Sequence, residues 1–230
     1  MLRSILRKSS VAKKIKEAVL FTIRRRYFAL LRQYITPPDS VITNNCFGGK
    51  IPQDLGYPYN SPTAGLFFPY PDYIDFLSNI SEAVKSEVKF RTESKHPAMR
   101  QYLQTVPWTV PVGYIEINGY DIEIIFLHYH TKEEALEKWQ RRCGRVNFDR
   151  LVVFGSDNDG CTKEDVERFL KLPFERKFFF SAHDFGIPDS TEYCFVREMS
   201  KAGAINSYNR AHILYKYLCR LKLSKHIPPQ

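Results

Sequence analysis

The chain has no C-x-x-C pair, no long apolar run and no net charge over most of its length. Its five cysteines (Cys46, Cys143, Cys161, Cys194 and Cys219) are scattered and odd in number. That pattern fits a reducing cytoplasm and argues against a disulfide framework or a structural zinc site. The longest uncharged run near the N-terminus covers residues 18–23. The longest elsewhere, residues 55–71, is broken by Pro58, Pro62, Pro69 and Pro71. A spanning helix needs about 20 apolar residues, and a secretory leader about 7–15 followed by a small-residue cleavage site. The expectation is a protein that is neither secreted nor membrane-spanning. With 43% hydrophobic and 26% charged residues in 230, global disorder is excluded and one core can form without covalent staples.

Charge is present but segregated. Lys and Arg number 34 against 25 Asp and Glu. Residues 1–36 hold ten of the basic side chains and one acid, Glu17, a net of +9; residues 37–230 carry 24 of each sign. A neutral body without an aromatic and basic stacking platform argues against nucleic acid as a partner. In the arm, Ile15, Val19, Ile23, Tyr27, Leu30, Leu31 and Tyr34 recur every three or four residues, an apolar stripe on a basic helix. Such a helix suits an anionic inner-leaflet surface. It equally suits a charged helix whose stripe packs on the body, and a nucleic-acid arm is the third reading. The domain division expected is 1–36 for the basic amphipathic arm and 37–230 for the body.

In the body, Thr36-Pro37-Pro38 ends the arm helix. Short strands are expected at 41–43, 64–68, 151–154 and 177–181. A helix is expected over 72–90, with Tyr73, Phe76, Leu77, Ile80 and Val84 on one face. Asn118-Gly119 between alternating apolar runs predicts a hairpin, because both central residues need positive φ; His128 and His130 are placed at the end of its second strand. Thr131 with Glu134, and Thr162 with Asp165, read as capping boxes opening helices to about 142 and 171. A closing helix is expected over 206–223. Strands alternating with helices, plus one hairpin, predict a single three-layer α/β domain with a mixed sheet.

Three loops follow predicted strands, where ligands collect in open α/β sheets. Asn44, Asn45, Gly48 and Gly49 form a loop whose glycines admit a ligand close to backbone, and Cys46 within it is a possible nucleophile; a tight turn with an inert thiol is the plainer reading. Asp157 and Asp159 have the spacing with which many sugar-nucleotide transferases grip a divalent ion, Mn²⁺ or Mg²⁺, although a polar turn before a helix uses the same residues. His183, beside Asp184, is a candidate base. His128 and His130 would share a face for metal ligation if their strand persisted. Arg142 and Arg145 could pair with phosphate or carboxylate.

Several ordered blocks are similar to one known family: Asn44-Asn45-Cys46-Phe47-Gly48-Gly49, Asp54-Leu55-Gly56, Tyr59-Asn60-Ser61-Pro62-Thr63-Ala64-Gly65-Leu66-Phe67, Lys138-Trp139, Arg142, Arg145-Val146-Asn147-Phe148-Asp149, Asp159-Gly160-Cys161-Thr162 and Phe179-Phe180-Ser181. They resemble a bacterial family of unknown-function domains whose members are commonly labelled exopolysaccharide or capsular polysaccharide biosynthesis proteins. The resemblance covers roughly residues 40–220 and leaves the arm outside. It implies an α/β domain linked to surface-glycan assembly, and no residue-by-residue mechanism.

Together these readings predict a glycosyl- or related transferase using a sugar nucleotide or lipid-linked saccharide. Asp157 and Asp159 would hold the cation, Arg142 and Arg145 the phosphate, and His183 would act as base. The arm would keep the enzyme peripherally on the cytoplasmic face of the membrane. The alternatives are a Cys46-dependent acyl or group transferase that modifies a glycan, and a non-catalytic subunit of a glycan-assembly complex. All of the catalytic readings require Cys46, Asp159, Arg145 and His183 to line one cleft at the rim of the sheet.

Overall fold

The computed structural model describes residues 2–158 and 160–223. The basic N-terminus is helical: α1 (Leu2–Arg25) and α2 (Phe28–Tyr34). Ile35, before the Thr36-Pro37-Pro38 stop, is already extended, at φ −121° and ψ 122°. The body then runs β1 (Ser40–Thr43), α3 (Phe47–Leu55), α4 (Asp72–Ser78), α5 (Ile80–Ala83), β2 (Lys89–Arg91), α6 (Pro97–Leu103), β3 (Val112–Ile117), β4 (Tyr120–Ile125), α7 (Lys132–Cys143), β5 (Leu151–Ser156), α8 (Lys163–Lys171), β6 (Lys177–Ser181), β7 (Tyr193–Phe195), α9 (Arg197–Ser200) and α10 (Ala211–Leu218), followed by a π-helical turn (Cys219–Leu223).

Four parallel strands make the central sheet, in the order β1-β5-β6-β7. Strand alternation sorts its side chains onto two faces. Val41, Val152, Phe154, Phe178, Phe180 and Cys194 pack with Phe28, Leu31 and Ile35 of the arm and with α3 and α10. Ile42, Val153, Phe179 and Tyr193 face the other way, against α4, α7 and α8. The runs are apolar on both faces because helices cover both. The second half of the arm is therefore core: Leu31 is fully buried.

The hairpin forms as its turn dipeptide predicts, with Asn118 at φ 51° and Gly119 at φ 82°. β3 and β4 pair in register from Val112↔Ile125 to Ile117↔Tyr120, and β2 adds to β3. The α/β class and the mixture of parallel and antiparallel strands are present, with the two kinds parted between two sheets. Residues 64–68, expected as a strand, instead join them: Phe67 exchanges both backbone hydrogen bonds with Ile125 at 2.9 Å, and Phe68 N donates to Asn44 O at 3.0 Å.

Three other local expectations are corrected. The 72–90 helix breaks at Asn79, whose amide donates to Asp75 O at 2.9 Å and competes with the helical ladder, and Phe90 belongs to β2. The 44–49 loop is shorter than expected, because Phe47 already begins α3. β4 stops at Ile125, so His128 and His130 lie in the turn beyond it; the His130 ring meets Trp108 while His128 meets Cys46.

Charge is buried where the arm joins the body. Arg24, 1% exposed, stands 2.7 Å from Asp54 Oδ2 through Nε, although that N–H does not point at the oxygen. Its Nη2 donates to Glu17 Oε1 at 2.7 Å. Lys50 Nζ lies 3.1 Å from Asp54 Oδ1, and Tyr215 OH donates to Asp54 Oδ2 at 3.0 Å. The single acid of the arm thus completes a cluster of two cations and two carboxylates.

Candidate functional site

The turn from β1 into α3 is fixed by side chains rather than left open to a ligand. Thr43 Oγ1 donates to Asn45 O at 2.6 Å and accepts from Gly48 N at 2.9 Å. A Cβ on Gly48 would lie 2.7 Å from that oxygen, so only glycine fits. Asn44, expected to contact substrate, is buried and pairs with Ser156: its Nδ2 donates to Ser156 O at 3.0 Å and its Oδ1 accepts from Ser156 N at 3.1 Å. Asn45 Nδ2 donates to Ser156 Oγ at 2.6 Å and its Oδ1 accepts from Phe47 N at 3.0 Å. Both amides lock the ends of neighbouring strands, and Cys46 is left at the helix start, only part-buried.

Cys46 Sγ lies 3.2 Å from His128 Nε2. The two residues are 82 apart in sequence, joined by the turn after β4, in which Tyr129 N donates to Phe126 O at 3.0 Å. Tyr129 anchors that turn from inside: its OH donates to Ala64 O at 3.1 Å, and Gly65 (φ 80°) passes close enough that a Cβ would sit 3.4 Å from the same hydroxyl.

The pair opens on a cleft of about 400 Å³, whose walls include Gly49, Tyr59, Lys138, Arg142 and Tyr208. Glu134, Lys138 and Arg142 all line it because they recur every four residues on one face of α7. The Arg142 guanidinium is held in place by Ala64 O and Tyr129 OH and lies 5.4 Å from the Tyr59 ring centre. With two cations against the one carboxylate of Glu134, the cleft keeps a net positive lining that suits an anionic substrate.

Burial pushes the Cys46 thiol up, opposed by a hydrogen bond from its own backbone N–H. Desolvation holds the His128 imidazole below its ordinary value. The resting pair is therefore a neutral thiol beside a neutral imidazole, the protonation state in which a histidine serves as general base. Burial pushes Cys143 and Cys219 up to about 12, and Cys161 and Cys194 higher still.

Among the described residues, the other expected ones do not line this cleft. His183 is half-exposed after β6, and its Nδ1 lies 2.8 Å from Asp157 Oδ2. Asp157 is buried, and its carboxylate also accepts from Ser181 Oγ at 2.6 Å, Ala182 N at 2.8 Å and His183 N at 2.8 Å. The group expected to grip a cation thus orients a histidine and closes the β6 loop. Asp184 accepts from Gly186 N at 2.9 Å instead of serving its neighbour. Asp159 lies outside the described residues, among which no cluster of three His, Cys, Asp or Glu could hold a metal ion. Arg145 is exposed beyond the end of α7. The single cleft expected at the rim therefore gathers Cys46, Gly49 and Arg142, and leaves His183 and Arg145 elsewhere. His128 as the partner of Cys46 carries no local sequence signal; the four-residue spacing of Glu134, Lys138 and Arg142 is a signal of one helix face that the expected site did not use.

Among the described residues no helix is long and apolar enough to cross a membrane. The chain is 36% identical over 172 residues to an uncharacterized protein of Haemophilus influenzae (strain ATCC 51907 / DSM 11121 / KW20 / Rd), covering 73% of this chain and 74% of that one. Residues 17–223 match the family described as domain of unknown function (DUF1919), a match that starts at Glu17 and so takes in the buried arm joint that the expected 40–220 span left out. With nearly the whole body and half the arm inside that match, the chain belongs to the DUF1919 family.

Proposed function

We propose that this protein is a thiol-dependent group transferase in cell-surface polysaccharide biosynthesis, moving an acyl or related group from an activated anionic donor to a glycan through Cys46. The link to exopolysaccharide or capsule assembly rests on the sequence resemblance. The reaction class rests on one observation, the 3.2 Å contact between Cys46 Sγ and His128 Nε2 inside a cleft that also holds Lys138 and Arg142. Divalent-cation chemistry at Asp157 and Asp159 is the weaker choice, because the Asp157 carboxylate is already filled by protein donors.

His128 Nε2 takes the thiol proton as Sγ attacks the acyl carbon. The S–C bond forms, and the leaving group departs with that proton. An acceptor hydroxyl then attacks the thioester, giving its proton through His128 back to the thiol. The α3 N-terminus offers little to the oxyanion: Phe47 N and Gly48 N are committed to Asn45 Oδ1 and Thr43 Oγ1. Charge stabilisation falls to Lys138 and Arg142.

The test uses p-nitrophenyl acetate as an activated acyl donor. A stoichiometric burst of p-nitrophenolate with acetyl on Cys46 is expected, absent in Cys46→Ala. A burst that survives this change, or acetylation of a different cysteine, removes the proposal.

The same reading places the enzyme at the inner face of the membrane. Ala12, Ile15, Val19 and Thr22 recur on the exposed side of α1, with Ile15 60% and Val19 54% exposed. Lys14, Lys16, Arg25 and Arg26 are exposed around them. Each basic residue near an anionic surface contributes about 1 kcal/mol. The protein is expected to co-sediment with phosphatidylglycerol vesicles and not with phosphatidylcholine vesicles. Val19→Glu should release it, and reversing Lys14 and Lys16 to Glu should weaken binding more at low salt than at high salt. Equal binding to both vesicle types would sink the attachment.

A further inference from the structure

We propose that a second groove, between α6 and β3, is a saccharide subsite that presents the glycan acceptor to the Cys46 cleft. This deepens the transferase reading and rests on it. The groove encloses about 490 Å³ and has Thr92, Glu93, Arg100, Gln104, Trp108 and Thr109 along its walls. Leu103, Val110 and Val112 supply an apolar floor, continuous with the small core of Phe67, Met99 and Ile125.

Three features select a sugar. Trp108 is 39% exposed at the groove rather than packed away. A large exposed ring offers a flat face to the C–H groups on one side of a pyranose while the sugar hydroxyls stay wet. Thr92, Gln104 and Thr109, all exposed, are neutral groups that both donate and accept, as sugar hydroxyls do. Formal charge cancels, since Glu93 faces the groove with Arg100, and Arg100 Nη1 already donates to Ser94 O at 2.9 Å. A phosphate or nucleotide site would carry net positive charge; the Cys46 cleft, with Lys138 and Arg142, has that character and this groove does not.

The turn after β4 reaches both cavities. Leu127 packs on the groove floor, and the His130 ring meets Trp108 edge-on at 5.6 Å between centres. His128, between them in sequence, touches Cys46. One short turn thus carries both the proposed base and the ring that meets Trp108, so an acceptor chain held on Trp108 can extend along that turn toward His128.

The chain has two tryptophans, and Trp139 is buried at 2% exposure, so ligand-dependent emission reports on Trp108. The experiment titrates full-length protein with maltohexaose, cellohexaose and chitohexaose, followed by fluorescence and by calorimetry. It is run both on unmodified protein and on protein whose Cys46 has been alkylated. A saturable blue shift is expected with at least one sugar in both preparations. Trp108→Ala should weaken the calorimetric affinity about 30-fold, as truncating an aromatic anchor does. Gln104→Ala should weaken it several-fold, about the effect of one lost hydrogen bond. No binding of any of the three sugars overturns the subsite, as does an unchanged affinity in Trp108→Ala or binding of a polyproline peptide in their place. Because alkylated protein is expected to bind, failure here is separable from failure of the thiol chemistry, which the acetylation burst reads on its own.

Discussion

Iodoacetamide at neutral pH is expected to alkylate Cys46 well ahead of the other four cysteines, and His128→Gln to slow that reaction about 100-fold. The selectivity follows from position. Cys46 lies on a cleft wall at the start of a helix, next to a neutral imidazole. Burial pushes Cys143 and Cys219 up to about 12, and Cys161 and Cys194 further. The magnitude follows from the role: a positioned general base contributes roughly 10²–10⁴-fold. The pH dependence carries the sign. Burial raises the Cys46 thiol, so a thiol acting alone would ionise only above its ordinary range. Desolvation lowers the imidazole, so the base stays neutral and available at pH 7 and somewhat below the usual histidine range. Wild-type labelling should therefore hold up toward mildly acidic pH, whereas His128→Gln should label appreciably only in alkali. Mass spectrometry of the tryptic peptides reads both. Equal rates in the two proteins, or first labelling at Cys143, would show that the contact does no chemistry.

The largest effect on stability is expected from Asp54→Ala. Asp54 is buried and meets Arg24, Lys50 and Tyr215. Removing it leaves two cations out of water with only Glu17 between them. Breaking a buried ion cluster in this way costs about 3–5 kcal/mol, a large share of the roughly 5–15 kcal/mol that holds a domain together. In a chain of this size each kcal/mol moves Tm by about 2–4 °C, so a fall on the order of 10 °C is expected by thermal melting. Replacing Arg24, Lys50 and Asp54 together by Met, Met and Leu should recover much of the loss, because burial of apolar groups can substitute for a buried ion pair. A single change that left Tm within about 1 °C would mean that water reaches the cluster.

Local chemistry was legible wherever a few adjacent residues decide the outcome. Asn118-Gly119 makes its hairpin because two positive φ angles are needed in succession. Thr162 and Asp165 form the full reciprocal cap, and Thr131 accepts from Glu134 N. The apolar face of residues 72–84 was read correctly even though the helix breaks at Asn79, since burial follows periodicity while continuity depends on one side chain's competing hydrogen bond. Residues 64–68 have the composition of a strand, but only Phe67 pairs with β4 and Phe68 then bonds to Asn44 beyond β1, so they became a bridge between sheets.

The site was less legible, because its residues meet across the fold. Asn44 and Asn45 looked like ligand-binding amides, and their chemistry is used instead on Ser156, 112 and 111 positions away. Asp157 looked like half of a cation site and turned out to hold His183, which sequence adjacency had offered to Asp184. Cys46 was visible as a possible nucleophile, but the histidine that meets it was not.

By itself the sequence determined the α/β class, the segregation of nine net positive charges into the first 36 residues, the hairpin and its turn, and the helix caps. Each is set by interactions within a few positions along the chain. Only the tertiary structure decided that the arm's second half is core, that Glu17 neutralises a buried cluster, and that Cys46 and His128 face each other. Those contacts depend on strand order and on how helices seat against a sheet, and no spacing along the chain encodes which distant side chains that packing will bring within 3 or 4 Å.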